Sequence, residues 1–183
     1  MRRPERVRRL EERVFTLPNA LSLARLFMVP IVVALLLAHA DGLAAALFVL
    51  AALTDFLDGK LARRSGPTRL GRILDPVADR LMLSSVAVVL AVRGLLPAWV
   101  VVILVGRDLA TLVGGVVVGT KIRVNRVGKA ATAVLMLAIA LIVLRPASAA
   151  GEIVFYAGFG LSIVAGLMYL RRVRRIPGGG EVR

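Results

Sequence analysis

The sequence predicts an all-α integral membrane protein with six transmembrane helices and a short interfacial amphipathic helix at its N-terminus. Hydrophobic residues make up 58% of the 183 residues, whereas a soluble domain is usually roughly half apolar. The apolar residues fall in long blocks separated by turn-forming and basic residues. Because a bilayer core needs about 20 apolar residues per helix, these blocks indicate membrane spans rather than a soluble core.

Six apolar blocks are long enough to cross a bilayer. They cover residues 20–38, 43–62, 75–93, 97–119, 127–144 and 151–170. The breaks between them favour turns and contain Asp41-Gly42, Ser65-Gly66-Pro67, Gly94 with Pro97, Lys121 to Arg126, and Arg145-Pro146. We expect a single domain over residues 1–183, made of a cytoplasmic or interfacial segment, a six-helix membrane domain and a flexible tail, at 1–18, 19–172 and 173–183.

Charge predicts the orientation of these spans. The net charge is +14, and the basic residues cluster between the apolar blocks. This pattern favours contact with anionic lipid headgroups, and we expect no nucleic-acid partner. By the positive-inside rule, both termini and the loops after spans two and four face the cytoplasm.

Residues 4–15 are expected to form the interfacial helix, with Val7, Leu10 and Val14 on one face and arginines around the rest. A disordered basic tail is the alternative.

Four aspartates lie near the predicted cytoplasmic ends of spans two and three. Asp55 and Asp58 are three residues apart, and Asp75 and Asp79 are four apart. Each spacing puts its two side chains on one helical face. An antiparallel pair of helices joined by a short loop could therefore bring all four carboxylates together.

Such a cluster is costly in a membrane unless some of its groups are protonated or cations bind it. An ionised carboxylate in hydrocarbon costs at least about 2.5–3.5 kcal/mol. The chain has no cysteine and a single histidine, His39, expected in a solvated loop. Oxygen-only ligation favours Mg²⁺, with Mn²⁺ as the alternative, and Mg²⁺ commonly binds a few carboxylates together with substrate phosphates. The competing interpretation is a salt-bridge network with nearby arginines, namely Arg63, Arg69, Arg72 and Arg80.

The acidic stretch resembles the motif of the CDP-alcohol phosphatidyltransferases at every fixed position. It reads Asp55-x2-Asp58-Gly59-x2-Ala62-Arg63-x7-Gly71-x3-Asp75-x3-Asp79. Smaller features are similar to the bacterial branch that contains phosphatidylglycerophosphate synthases and cardiolipin synthases. They are Pro18-Asn19 with Arg25, Leu74 to Asp79, Arg107-Asp108, and Gly128 to Thr132. Aspartate rather than glutamate after Arg107 is more similar to the cardiolipin synthases.

The resemblance implies an enzyme of the bacterial cytoplasmic membrane that transfers a phosphatidyl group from CDP-diacylglycerol to an alcohol and releases CMP. It implies two Mg²⁺ ions held by Asp55, Asp58 and Asp75, with Asp79 contributing to one of them and acting as the general base. It further implies a cytosol-facing donor site formed by Asp55, Gly59, Ala62, Arg63, Thr68, Gly71 and Asn19.

An acceptor that carries phosphate requires positive charge. Arg107 is the leading candidate, because an arginine in mid-span is expensive without a partner. The alternative is that Arg107 only pairs with Asp108. Lys129, Arg123 and Lys121 lie near the same cytoplasmic end and are further candidates, unless they serve only to orient the protein.

Several acceptors remain open, and so do two other classes of protein, a cation transporter and a purely structural membrane subunit. Glycerol 3-phosphate leads, which would make the chain a phosphatidylglycerophosphate synthase. Phosphatidylglycerol follows, as in cardiolipin synthases, and then inositol phosphate, as in phosphatidylinositol phosphate synthases. A cation transporter could also use an acidic cluster, although Arg63 and Arg64 would repel cations. Gly115-x-x-x-Gly119 suits close helix packing within the chain or in the homodimer that we expect.

Overall fold

The computed structural model of the protein describes residues 17–65, 71–117, 126–146 and 148–174. Within these ranges, side chains are described at positions 19–54, 74, 77–113, 127–146, 148–168 and 171. The predicted interfacial helix at 4–15 and most of the predicted tail at 173–183 lie outside the described residues.

The described chain is all-helical, as predicted. Its six helices are α1 (Leu17–Leu37), α2 (Asp41–Ser65), α3 (Gly71–Val92), α4 (Ala98–Val117), α5 (Arg126–Leu144) and α6 (Ala149–Arg174). Each helix corresponds to one predicted apolar block, with bounds shifted by a few residues. The predicted helical blocks are therefore confirmed.

Three helices are long and apolar enough to cross a membrane, judged over the described side chains. They are the stretches Asn19–Leu37, Val127–Leu144 and Ala149–Met168, and Asp41–Thr54 is a shorter apolar stretch. Large apolar side chains such as Phe27 and Val102 are 66% and 69% exposed, which suits a protein surrounded by lipid. These features indicate a membrane protein, while the count of six spans stays a prediction.

The helices α1 and α3 end in the same way. His39 and Gly94 adopt left-handed backbone conformations, with φ of 57° and 73°. After α1, the Ala40 amide donates to Leu35 and the His39 amide to Leu36, and the equivalent pair of bonds follows α3. This is the Schellman arrangement, in which a left-handed residue closes a helix.

The connection predicted between residues 38 and 43 lies one to two residues earlier in the structure. The chain reverses at residues 38–40, and Asp41 is already the first residue of α2. The left-handed His39 supplies the reversal. A carboxylate is also stabilised at a helix N-terminus by the positive end of the helix dipole, which favours Asp41 inside the helix.

The chain divides into two compact units, residues 1–101 and 102–183. In the first unit, α1 packs against both α2 and α3. Its buried core includes Val32, Leu36, Phe48 and Leu90.

In the second unit, α5 packs against α6. A Cβ built at Gly158 would lie 3.0 Å from Val134 Cγ1 and 3.1 Å from the Leu135 amide nitrogen, and one at Gly151 would lie 3.0 Å from Ile142 Cγ1. Contacts therefore advance along α6 as they recede along α5, so the two helices are antiparallel. Glycine allows their backbones to approach closely.

Candidate functional site

Two polar contacts connect α1 to α3 and set their relative direction. Arg25 contacts Asp79, and His39 contacts Arg93, and each pair is separated by 54 residues along the chain. The equal separation means that α1 and α3 run parallel. The two contacts are fourteen positions apart along each of the two segments, which is about 21 Å at 1.5 Å per residue. The contacts therefore mark opposite ends of the first unit.

At the first of these ends, Arg25 holds Asp79. Arg25 Nη1 donates a hydrogen bond to Asp79 Oδ1, and the two groups form an ion pair. The Arg25 side chain is only 2% exposed, whereas that of Asp79 is 25% exposed. A buried guanidinium in an apolar helix needs a counter-ion. Asp79, the predicted general base, provides that counter-ion and is held from a helix outside the motif.

Arg25 is the last member of a buried polar stripe on α1. Asn19, Ser22 and Arg25 are 5%, 1% and 2% exposed. Their spacing of three residues keeps them near one face of the helix. Asn19 was predicted as a donor-binding residue, but Ser22 and the Arg25–Asp79 pair were missed. The signal that could have revealed them is the regular spacing of polar residues in an otherwise apolar helix.

The backbone places the other motif aspartates toward the same end. The tight turn at 38–40 makes α1 and α2 antiparallel. Arg25 lies 12 residues before the end of α1, and Asp55 lies 14 residues after the start of α2. These lengths correspond to about 18 and 21 Å, so Asp55 and Asp58 lie near the height of Arg25 and Asp79. The meeting of all four carboxylates at one site stays a prediction.

The remaining predicted donor residues lie where no side chain is described. Gly59, Ala62 and Arg63 belong to the last turns of α2, and Gly71 is the first residue of α3. Thr68 lies outside the described residues altogether. Asp75 lies in α3, one turn before Asp79. The donor-binding roles therefore stay predictions.

The structure adds a partner for Asp79 to those named in the predicted salt-bridge network. Asp79 forms an ion pair with Arg25 of α1, which that network did not include.

The described side chains contain no group of three or more His, Cys, Asp or Glu residues that could hold a metal ion. Three of the four predicted ligands lie beyond these side chains, so this does not test the site. The one ligand that is described, Asp79, is a partly exposed carboxylate at the end where α2 carries Asp55 and Asp58. Carboxylate oxygens fit a hard cation such as Mg²⁺.

A second charged cluster closes the other end of the first unit. Arg93 donates from Nη1 and Nη2 to the two carboxylate oxygens of Asp41, at 2.5 and 2.9 Å, and Nη2 lies 3.1 Å from His39 Nδ1. The hydrogen bonds from Arg93 lower the pKa of Asp41 below its ordinary value. His39 is exposed, as expected for a loop residue. This cluster joins the α1–α2 turn to the end of α3 and lies far from the motif.

The leading acceptor candidate lies in the second unit. Arg107 Nη1 donates to Asp108 Oδ1 at 2.8 Å, and the two side chains are 13% and 4% exposed. The pairing that we considered as an alternative role is therefore present. A Cβ built at Gly166 of α6 would lie 3.6 Å from Arg107 Cγ, so Arg107 packs against α6 at that point.

The contacts between α5 and α6 show at which end of the second unit Arg107 meets Gly166. A Cβ at Gly128 would lie 3.9 Å from that of Ala165. Gly166 is therefore level with the start of α5, where Lys129 is exposed. Two of the four predicted acceptor residues, Arg107 and Lys129, thus belong to the same end of the unit. The other two, Lys121 and Arg123, lie outside the described residues.

Comparison with known proteins agrees with the motif. The family model described as CDP-alcohol phosphatidyltransferase matches residues 15–164. A cardiolipin synthase (CMP-forming) of Streptomyces coelicolor is 41% identical, with 90% of this chain and 86% of the relative covered. A protein of Mycobacterium tuberculosis named "Probable phosphatidylglycerophosphate synthase" is 36% identical, with 91% and 86% covered.

The CDP-diacylglycerol–glycerol-3-phosphate 3-phosphatidyltransferase of Bacillus subtilis is 34% identical, with 53% of this chain and 58% of the relative covered. Enzymes of this family use a CDP-alcohol and an alcohol acceptor and generally depend on a divalent metal. Since the family model covers most of the sequence and includes the whole motif, the chain belongs to the CDP-alcohol phosphatidyltransferase family.

Proposed function

We propose that the chain transfers the phosphatidyl group of CDP-diacylglycerol to a glycerol hydroxyl of an acceptor that contains glycerol phosphate, releasing CMP. The observation that carries this proposal is the position of Asp79, the last residue of the family motif, in an ion pair with the buried Arg25. The pair fixes one oxygen of a partly exposed carboxylate. A carboxylate oriented in this way can take a proton from a bound alcohol.

In this reaction, Asp79 accepts the proton of the acceptor hydroxyl. The resulting oxygen attacks the phosphorus that bears the diacylglycerol, and the bond from that phosphorus to CMP breaks. General-base assistance typically contributes about 10²- to 10⁴-fold, and positioning and electrostatics contribute much of the rest. Arg25 acts as a positioning residue, because it contacts Asp79 from α1.

The donor and its metal ions are assigned to the motif. Asp55, Asp58 and Asp75, with Asp79, would hold two Mg²⁺ ions, with Mn²⁺ as the alternative. When bound, such ions neutralise the charge of the diphosphate and of the leaving CMP. The donor site would be completed by the remaining predicted residues, namely Gly59, Ala62, Arg63, Thr68, Gly71 and Asn19. Asn19 is included because its side chain is buried on the polar stripe of α1.

Different observations favour glycerol 3-phosphate and phosphatidylglycerol as the acceptor. Glycerol 3-phosphate is favoured by the relatives from Mycobacterium tuberculosis and Bacillus subtilis. Phosphatidylglycerol is favoured by the relative from Streptomyces coelicolor, which is 41% identical, and by Asp108 after Arg107. Arg107 with Lys129, Arg123 and Lys121 would bind the phosphate in either case.

The membrane setting follows the charge pattern. We propose six spans in the bacterial cytoplasmic membrane, with both termini and the motif on the cytoplasmic side. Three described helices are long and apolar enough for such spans. We also propose a homodimer, for which Gly115-x-x-x-Gly119 offers close packing. Membership of an enzyme family argues against the cation-transporter alternative.

The test incubates purified protein in nanodiscs with labelled CDP-diacylglycerol and Mg²⁺. Glycerol 3-phosphate, phosphatidylglycerol and inositol phosphate are supplied separately, and the lipid product and CMP are identified. One of the first two acceptors is expected to give a phosphatidyl product with an equal amount of CMP. Transfer only to inositol phosphate, or no transfer at all, would contradict the proposal.

A further inference from the structure

A buried serine hydroxyl on α6 lies one turn from the point where α6 meets Arg107. Ser162 is 1% exposed, and its Oγ has no hydrogen-bond partner within the part of the chain that the structure describes. Ser162 lies one turn before Gly166, so the two residues share a face of α6. At Gly166 this face packs against Arg107, where an added Cβ would lie 3.6 Å from Arg107 Cγ.

The open hydroxyl contrasts with others in the same unit. A serine or threonine in a helix can donate to a carbonyl oxygen three or four residues earlier. Thr111 does so to Asp108 at 2.9 Å, and Thr132 does so to Gly128 at 3.0 Å. Ser162 makes no such bond to any described residue. Leaving a buried polar group unpaired is unfavourable, and a bound ligand that supplies the partner removes this cost.

Arg107 offers a second open donor beside this face. Its Nη1 is used by Asp108, whereas its Nε is buried and has no hydrogen-bond partner among the described residues. A guanidinium N–H suits a phosphate oxygen, and a hydroxyl suits either a phosphate or an alcohol oxygen. The exposed Lys129 at the same end of the unit adds positive charge. The two open groups therefore match a ligand with a phosphate next to an alcohol.

We infer that Ser162 and Arg107 together bind the glycerol phosphate end of the acceptor, through Ser162 Oγ and Arg107 Nε. This inference rests on the proposed function, since it names the binding groups for the acceptor of that reaction. The glycerol phosphate can belong to free glycerol 3-phosphate or to the headgroup of phosphatidylglycerol. Ser162 is the new assignment, because neither the family motif nor the charge pattern includes it.

The test compares Ser162→Thr with Ser162→Val, since these side chains have the same shape and differ in the hydroxyl. Transfer from labelled CDP-diacylglycerol is measured in nanodiscs with Mg²⁺, with glycerol 3-phosphate in one arm and phosphatidylglycerol in the other. The valine variant is expected to have an apparent KM for the accepted substrate about tenfold higher than the threonine variant. The KM for CDP-diacylglycerol is expected to be the same in both.

Two further variants separate binding from packing. Arg107→Lys keeps the positive charge but lacks Nε, and it is expected to raise the same acceptor KM. Gly160→Ala on α6 is the control, because its added Cβ would meet nothing within 4 Å. It is expected to have wild-type constants. Should the added methyl groups at 162 prevent folding, Ser162→Ala measured against Gly160→Ala makes the same comparison.

A binding measurement without turnover completes the test. In the absence of CDP-diacylglycerol, the accepted substrate should raise the Tm of the threonine variant at a lower concentration than that of the valine variant. Equal acceptor KM and equal Tm response in the two variants would overturn the inference while leaving the proposed function intact. A wild-type protein that transfers to neither acceptor would overturn both.

Discussion

Arg25 of α1 and Asp79 of α3 form an ion pair across two parallel helices, at the end of the first unit that carries the motif. The arginine is buried and the aspartate is partly exposed. The motif alone runs from α2 to α3, so this contact adds a third helix to the site. It explains how a carboxylate assigned to proton transfer can be held in one orientation before substrate binds.

Replacing Arg25 by methionine should lower both stability and turnover, because Asp79 loses the counter-ion that α1 supplies. Combined with Asp79→Asn, the losses in stability should be less than additive, with a coupling of about 1–3 kcal/mol. Thermal unfolding of the four proteins in detergent measures this coupling. Arg145→Met, at an exposed arginine, is the control and should change little. Strictly additive losses would show that the two side chains do not interact.

Close packing of α5 on α6 should make Gly158 sensitive to substitution. A Cβ at this position would lie 3.1 Å from the Leu135 backbone nitrogen, so Gly158→Ala should cost about 1–3 kcal/mol through overpacking. Gly160→Ala adds the same atom to the same helix in open space. A lower Tm for the first variant, and an unchanged Tm for the second, is the expected result. Equal Tm values would contradict the observed packing.

Stability should depend on pH through Asp41. Its folded pKa lies below the ordinary value of 3.8 because Arg93 donates hydrogen bonds to the ionised form. Its stabilising effect is therefore fully present above about pH 4 and is lost as the pH falls through the lower, folded pKa. The ionised Asp41 should add less than about 1 kcal/mol to the free energy of unfolding, since its pair with Arg93 is near the surface.

The comparison with Asp41→Asn isolates this effect. The wild type should have the higher Tm from about pH 5 to pH 7, and the difference should shrink below pH 4. Transfer activity at neutral pH should be similar in both proteins, because this cluster lies about 21 Å along α3 from Asp79. A difference in Tm that grows on acidification would contradict the assigned direction.

Removal of divalent metal should abolish transfer. Incubation with EDTA followed by gel filtration is expected to give an inactive, folded protein, and added Mg²⁺ or Mn²⁺ should restore activity. Circular dichroism of the stripped protein separates loss of metal from unfolding. Undiminished transfer in the presence of excess chelator would contradict the assigned role of the motif aspartates.

The helices could be predicted from sequence because apolar blocks of membrane length leave few alternatives. The position of the turn before α2 was harder to predict, since a histidine in the left-handed conformation closes α1. Local sequence favours Gly42 for such a turn. The backbone hydrogen bonds after Leu37 determine the actual position.

The site was only partly predictable for a similar reason. The spacing of Asp75 and Asp79 on one helix follows from sequence, because helical periodicity is local. The partner of Asp79 lies 54 residues away on α1, where Arg25 was named only as a feature shared with the family. Ser162 was equally hidden, because a single serine in a membrane helix usually bonds to its own backbone.

The most direct test of the central claim measures transfer and nucleotide binding in Asp79→Asn. We expect transfer to fall by about 10²- to 10⁴-fold, while CDP-diacylglycerol binding in the presence of Mg²⁺ stays within a few-fold of the wild type. Asp55→Ala, in contrast, should weaken nucleotide binding as well. Transfer by Asp79→Asn at the wild-type rate would contradict the account, because no proton acceptor would then be needed at that position.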